Sequence, residues 1–100
     1  MLKDFFLGFV KTHILYHASR GPIYGVEMLE ELGRHGYRLS PGTLYPTLHR
    51  LEGEGYLSVQ KRVVGGKVRK YYTITEQGMV VLNEAKKKIA ELVNEVLLDK

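Results

Sequence analysis

Two adjacent glycines, Gly65 and Gly66, separate the only two runs of the chain in which apolar and polar residues alternate. A glycine pair with such flanks specifies a tight β-hairpin, because the turn needs positive φ angles that glycine adopts freely. Strands are expected over about 57–64 and 67–74, which excludes a purely helical fold. Everywhere else the apolar spacing is helical. One hundred residues hold one compact core and little more, so helices on both sides of the hairpin must share it. The expected class is mainly α with a small β-hairpin (α+β).

The first helix is expected over 5–18, with Asp4 as its N-cap. It is apolar over well more than half its circumference, through Phe5, Phe6, Leu7, Phe9, Val10, Ile14 and Leu15, so it needs cover from a second body as well as its own domain. Gly21-Pro22 punctuates the chain, and Ile23, Val26, Leu29 and Leu32 then mark one stripe of a second helix over 23–35. A short turn leads to Ser40 as N-cap, Pro41 behind it, and a third helix over 41–53 with Leu44, Leu48 and Leu51 inward. Two helices joined by a short turn have the layout of a helix-turn-helix. Pro46 is an anomaly in the third helix: it removes the hydrogen bond to the Gly42 carbonyl, a cost of about 3 kcal/mol in an ordinary interior. A start at Thr43 rather than Pro41 avoids that cost, and the pattern admits both.

Thr75 caps a last helix expected from Glu76 to near Leu98. In it Leu82, Ala85, Ile89, Leu92 and Val96 follow the spacing of a coiled-coil seam, widened by Val81, Val93 and Leu97. A seam on a terminal helix and an over-apolar first helix ask for the same cover. A homodimer is therefore expected, held by Phe5, Phe6, Phe9, Leu82, Ala85, Ile89, Leu92, Val93 and Val96. Folding of the last helix back onto its own domain is the alternative. Residues 1–75 then form one functional unit and 76–100 a dimerisation helix.

The chain has no cysteine, which excludes disulfides, thiol nucleophiles and zinc ribbons. It has no Walker loop and no Gly-x-Ser-x-Gly elbow, so an enzyme is the least supported class and no cofactor is expected. His13 and His17 have the spacing of a metal pair, but no carboxylate accompanies them in the HExxH manner, so no metal is expected either. No apolar run can span a bilayer and no signal-peptide pattern opens the chain, so no membrane contact is expected and the cytoplasm is the default location.

A net charge of +4 favours an anionic partner, and its placement says more than its sum. Between Tyr56 and Thr75 stand five basic residues, Lys61, Arg62, Lys67, Arg69 and Lys70, and no acidic one. Three helices, a basic hairpin and a final helix are the order of a winged helix-turn-helix domain with a C-terminal extension. Winged helices also serve as protein-interaction modules, and a basic run can be a plain solvated face. The charge of the wing argues for double-stranded DNA, since Lys and Arg supply most of the non-specific affinity for phosphates.

With the leucines of the third helix inward, its outer face presents Gly42, Pro46 and His49, flanked by Tyr45 and by Thr43 with Arg50. That face is expected in the major groove, with Lys61, Lys67 and Arg69 on flanking phosphates and the uncapped amides near Ser40 and Tyr24 receptive to phosphate oxygens. Tyr24 has a duller alternative, stapling the second helix to the first, and Arg50 another, pairing with Glu54. Tyr71 and Tyr72 point to opposite faces of a strand, with Tyr72 expected inside beside Ile74.

Tyr24-Gly25, the run Gly42-Thr43-Leu44-Tyr45-Pro46-x-Leu48-x-Arg50-Leu51-Glu52-x-x-Gly55, and Arg69-Lys70-Tyr71-Tyr72-x-Ile74-Thr75-x-x-Gly78 together resemble the PadR family of transcriptional regulators. The resemblance runs from about residue 5 to 80 and is to the shorter subgroup, with a single C-terminal helix. It implies a dimeric, sequence-specific winged-helix repressor on a two-fold-symmetric operator, with the first and last helices forming the dimer contact. It also implies response to phenolic or other flat hydrophobic effectors. Phe5, Phe6 and Phe9 against the last helix are the candidate pocket wall, with plain interface packing as the competing account.

Overall fold

The computed structural model describes residues 2–100. Its elements are α1 (Leu2–Arg20), α2 (Gly25–Arg34), α3 (Pro41–Gly53), β1 (Leu57–Val64), β2 (Lys67–Ile74) and α4 (Glu76–Leu92), followed by a π-helical turn over Val93–Leu97. The strands pair antiparallel from Leu57↔Ile74 to Val64↔Lys67. Both turn glycines have positive φ, 58° at Gly65 and 78° at Gly66, as a two-residue type I′ loop requires.

One core joins all the elements: Val10, Ile14, Leu15 and Ala18 of α1, Met28 and Leu32 of α2, Leu44, Leu48 and Leu51 of α3, Leu57 and Tyr72 of the hairpin, and Leu82 of α4. The three α3 leucines are 0%, 0% and 3% exposed, and each contributes about 1.5–3 kcal/mol by its burial. That burial decides which side of α3 faces out. Thr75 joins the two halves of the fold. Its hydroxyl accepts from the Gly78 amide at 2.9 Å, capping α4, and donates to the Gly55 carbonyl at 2.6 Å, just past the end of α3.

Several local features depart from the sequence expectations. Asp4 is not an N-cap: α1 starts at Leu2, and Asp4 lies in its first turn, where a negative charge suits the helix dipole. The second helix starts at Gly25 rather than 23, because Ile23 pairs with β2 instead: its amide donates to the Tyr72 carbonyl at 2.9 Å and its carbonyl accepts from the Tyr72 amide at 2.7 Å. As a result Met28 and Leu32 are the buried residues of α2, while Val26 is 54% exposed. The third helix starts at Pro41, with the amides of Thr43 and Leu44 both donating to the Ser40 carbonyl at 3.0 Å, so Pro46 lies inside it. Ser40 holds the N-cap position, but its side chain makes no cap hydrogen bond.

The seam on the last helix is also modified. Leu82 is 1% exposed and belongs to its own chain's core, whereas Ile89, Leu92 and Val96 are 41%, 52% and 65% exposed. From Val93 the backbone widens into the π turn, which takes Val96 and Leu97 out of the 3–4 register. Among the described residues no helix is long and apolar enough to cross a membrane.

Candidate nucleic-acid interface

The bridge between Ile23 and Tyr72 holds the start of α2 against the hairpin and so places Tyr24 beside the wing. The Tyr24 ring meets Tyr71 edge to face at 5.6 Å and lies under the Arg69 guanidinium, whose Cζ is 4.1 Å from the ring centroid. Arg69 also donates to the Tyr71 hydroxyl at 3.4 Å, and the Arg62 Cζ stands 4.9 Å over the Tyr71 ring. The ring partners of Tyr24 are therefore on β2, not on α1. Arg62, Tyr71, Tyr24 and Arg69 form one ladder, each cation–π contact worth about 0.5–1 kcal/mol at such an exposed site.

The register places Lys61 opposite Lys70 and Arg62 opposite Arg69. Like charges directly across a strand pair are destabilising. The tyrosine stack holds the two arginines in place, and nothing acidic lies between Tyr56 and Thr75 to neutralise them. The wing therefore presents fixed positive charge that its own folding does not need.

On α3, Tyr45 is 44% exposed and Gly42, Pro46, His49 and Arg50 are exposed around it. The Tyr45 ring lies across Gly25 of α2: a Cβ at that glycine would stand 2.6 Å from the Tyr45 hydroxyl oxygen and 2.7 Å from its Cζ. Gly25 permits the close approach, so the Tyr24-Gly25 and Tyr45-Pro46 pairs interlock.

These contacts enclose a cleft of about 740 Å³ between the outer face of α3 and the wing. Of the residues expected at DNA, Tyr24, Tyr45, Pro46, His49, Lys67 and Arg69 line it. Ser40, Gly42, Thr43, Arg50 and Lys61 do not. The first three sit at the start of α3, Arg50 on its exposed flank and Lys61, also exposed, on β1 opposite Lys70. Among the described residues Arg50 forms no ion pair with Glu54, and His49 Nδ1 lies 3.8 Å from Glu52 Oε1. Lys70, Val26, Val64 and Val68 also line the cleft and were not anticipated. Nor were Arg62 and Tyr71 as parts of the ladder, although counting outward from Gly65-Gly66 pairs 62 with 69 and puts 71 on the same face.

Away from the cleft, α1 and α2 bring His13, His17 and His35 together, one ligand atom of each within 4.8 Å of the others. His13 stacks on His35 with ring centroids 4.6 Å apart. A carboxylate from α2 stands beside them, though not in the HExxH manner: Glu31 Oε1 is 3.6 Å from His17 Nε2 and 3.5 Å from His35 Nε2. Burial, then the charges of His35 and His17, holds the His13 imidazole below its ordinary pKa. At Glu31 partial desolvation pushes the carboxyl up, but the hydrogen bond and charge of Arg34, with His17 and His35, bring it below the usual range. The cluster closes one end of a groove of about 630 Å³ between α1 and α4. Phe9, Leu82 and Ile89 line that groove, and Phe5 and Phe6 do not.

The family model described as the PadR-like transcriptional regulators matches residues 14–84. The transcriptional regulator Rv3488 of Mycobacterium tuberculosis is 47% identical over 96 residues, a match spanning 96% of this chain and 90% of that protein. The transcriptional regulator YqjI of Escherichia coli is 33% identical over 91 residues, spanning 88% of this chain but 42% of the longer relative. Among solved structures, a PadR family transcriptional regulator from Eggerthella lenta is similar with a TM-score of 0.82 at 33% identity, over 100% of this chain and 90% of that one. A PadR-like transcription factor from Bacteroides fragilis gives a TM-score of 0.84 at 27% identity, over 98% and 96%. The relatives are transcriptional regulators and not enzymes, and the solved ones share the fold. The chain belongs to the PadR-like family of winged-helix transcriptional regulators.

Proposed function

We propose that the chain is a repressor that binds a two-fold-symmetric operator as a homodimer, each copy reading one half-site with the cleft between α3 and the wing. The observation that carries this reading is the convergence of Tyr24, Tyr45, Pro46, His49, Lys67 and Arg69 on that one cleft. The N-terminal turn of α3 enters the major groove, where Tyr45, His49 and Arg50 reach base edges. Gly42 is not required by packing, since a Cβ there would meet only Ser40 Oγ at 3.6 Å. With Pro46 it leaves a low surface on which a duplex can approach closely. Lys61, Lys67, Lys70 and the stacked Arg69 neutralise flanking phosphates, and the Gly42 amide in the first turn of α3 donates to another.

Residues 76–100 and α1 form the dimer contact in this reading. Phe5 and Phe6 are 56% and 50% exposed, and with Ile89, Leu92, Val93 and Val96, also exposed, they are the apolar side chains on the first and last helices that a second copy would cover. Leu82 stays in the core, and Ala85 and Phe9 lie half-buried beside the surface. Relief of repression by a flat hydrophobic effector finds support in the groove between α1 and α4, whose volume lies in the range of ligand pockets.

Light scattering on the purified chain, followed by titration of a labelled palindromic duplex from the adjacent promoter, tests the proposal. A dimer whose affinity falls steeply with salt is expected, with recognition helices about 34 Å apart. A monomer with no salt-dependent affinity overturns it. A protein-interaction module predicts instead that neutralising Lys61, Arg62, Lys67, Arg69 and Lys70 leaves function intact.

A further inference from the structure

We propose that His13, His17, His35 and Glu31 form a binding site for a divalent transition-metal ion of the zinc type, clamping α1 to the end of α2. The two helices present matching i, i+4 pairs across their contact, His13 with His17 and Glu31 with His35. Three imidazoles and one carboxylate are the donor set that suits zinc and its neighbours, with no thiolate needed.

The distances fit a site one small rearrangement from closure. Ligand atoms in a tetrahedral zinc site stand about 3.4 Å apart, from metal–nitrogen bonds of about 2.0–2.1 Å. The three imidazoles offer ligand atoms within 4.8 Å of one another, and His35 is exposed at the end of α2. Glu31 Oε1 already faces His17 Nε2 and His35 Nε2 at 3.6 and 3.5 Å, while Arg34 engages the other oxygen, Oε2, and leaves Oε1 available. A metal ion engages all three as neutral ligands. Lys86 of α4 lines the same groove.

The test is a titration of the full chain, carrying no affinity tag, with Co²⁺ and then Zn²⁺. The expected result is one ion per chain, visible absorption bands of four-coordinate Co²⁺ that Zn²⁺ abolishes, and a rise in Tm with Zn²⁺ concentration as linkage demands. His13→Gln and His35→Gln should each weaken Co²⁺ binding at least tenfold, and Glu31→Gln about 10–100-fold, with far-ultraviolet circular dichroism confirming that each variant folds. No Co²⁺ bands, or binding that survives in the folded His13→Gln/His35→Gln double variant, overturns the site.

Discussion

Lys61→Glu should stabilise the free protein and weaken its grip on DNA, two effects of opposite sign from one change. Lys61 stands directly opposite Lys70 across the hairpin, with no aromatic stack recorded for either. A cross-strand charge pair is worth roughly 0.2–1 kcal/mol in either direction, so exchanging repulsion for attraction gains about 0.4–2 kcal/mol. Both side chains are exposed, and screening keeps the gain near the lower end at physiological salt. Each kcal/mol raises Tm by about 4–8 °C in a domain of this size. On DNA, a dimer loses one phosphate contact per copy, so the slope of log K against log salt falls by about 1.8. Over a fourfold rise in salt the wild type should therefore lose about twelvefold more affinity than the variant loses. Thermal melting at two ionic strengths and duplex titration by fluorescence anisotropy read the two effects. A variant that melts lower than wild type, or one with an unchanged salt slope, would refute the argument that the wing carries charge for DNA at the expense of its own pairing.

Three further outcomes follow from the packing. Gly25→Ala must push the Tyr45 ring aside, since the new methyl would meet its hydroxyl end; that end is movable, so Tm should change little while duplex affinity falls. Gly78→Ala meets fixed backbone instead: its Cβ would stand 3.1 Å from the Tyr56 carbonyl carbon and 2.7 Å from Ile74 Cγ1, and would collide with the Tyr56 carbonyl oxygen. Overpacking of that kind costs about 1–3 kcal/mol, visible as a lower denaturation midpoint with duplex affinity per folded molecule unchanged. Tyr72 is held above its ordinary pKa of 10.0 by burial, then by the charges of Glu52 and Tyr45. The unfolded chain therefore releases that proton first, so stability should decline as pH rises above about 10, and Tyr72→Phe should flatten the decline in alkaline melting curves.

Where local chemistry decided the structure, the residues disclosed it. The Gly65-Gly66 turn defined the hairpin and, through it, the pairing of every wing residue. The spacing of Leu44, Leu48 and Leu51 showed which face of α3 is free. The features that stayed hidden are those made by contact between distant segments. Ile23 reads as a helical residue until Tyr72 offers it a strand edge, and that bridge moves the start of α2 and gives Tyr24 its place. His35 and Glu31 lie on a different helix from His13 and His17, and only the packing of α1 against α2 assembles them. Ser40 has the residue type of a capping side chain, yet Thr43, the residue three positions on, takes its hydroxyl at 3.4 Å instead of a backbone amide. The π turn at Val93–Leu97 follows no spacing that the apolar residues announce.

The face shared by α3, Tyr24 and the wing is the one proposed to meet DNA. Photo-crosslinking tests it directly: a photoreactive side chain at His49, inside the cleft, is compared with one at Lys87, exposed on α4 and outside it. Irradiation with a bound promoter duplex should yield a covalent protein–DNA adduct from position 49 and none from position 87. Adducts from position 87, or none from position 49 while the duplex remains bound, would contradict the claim.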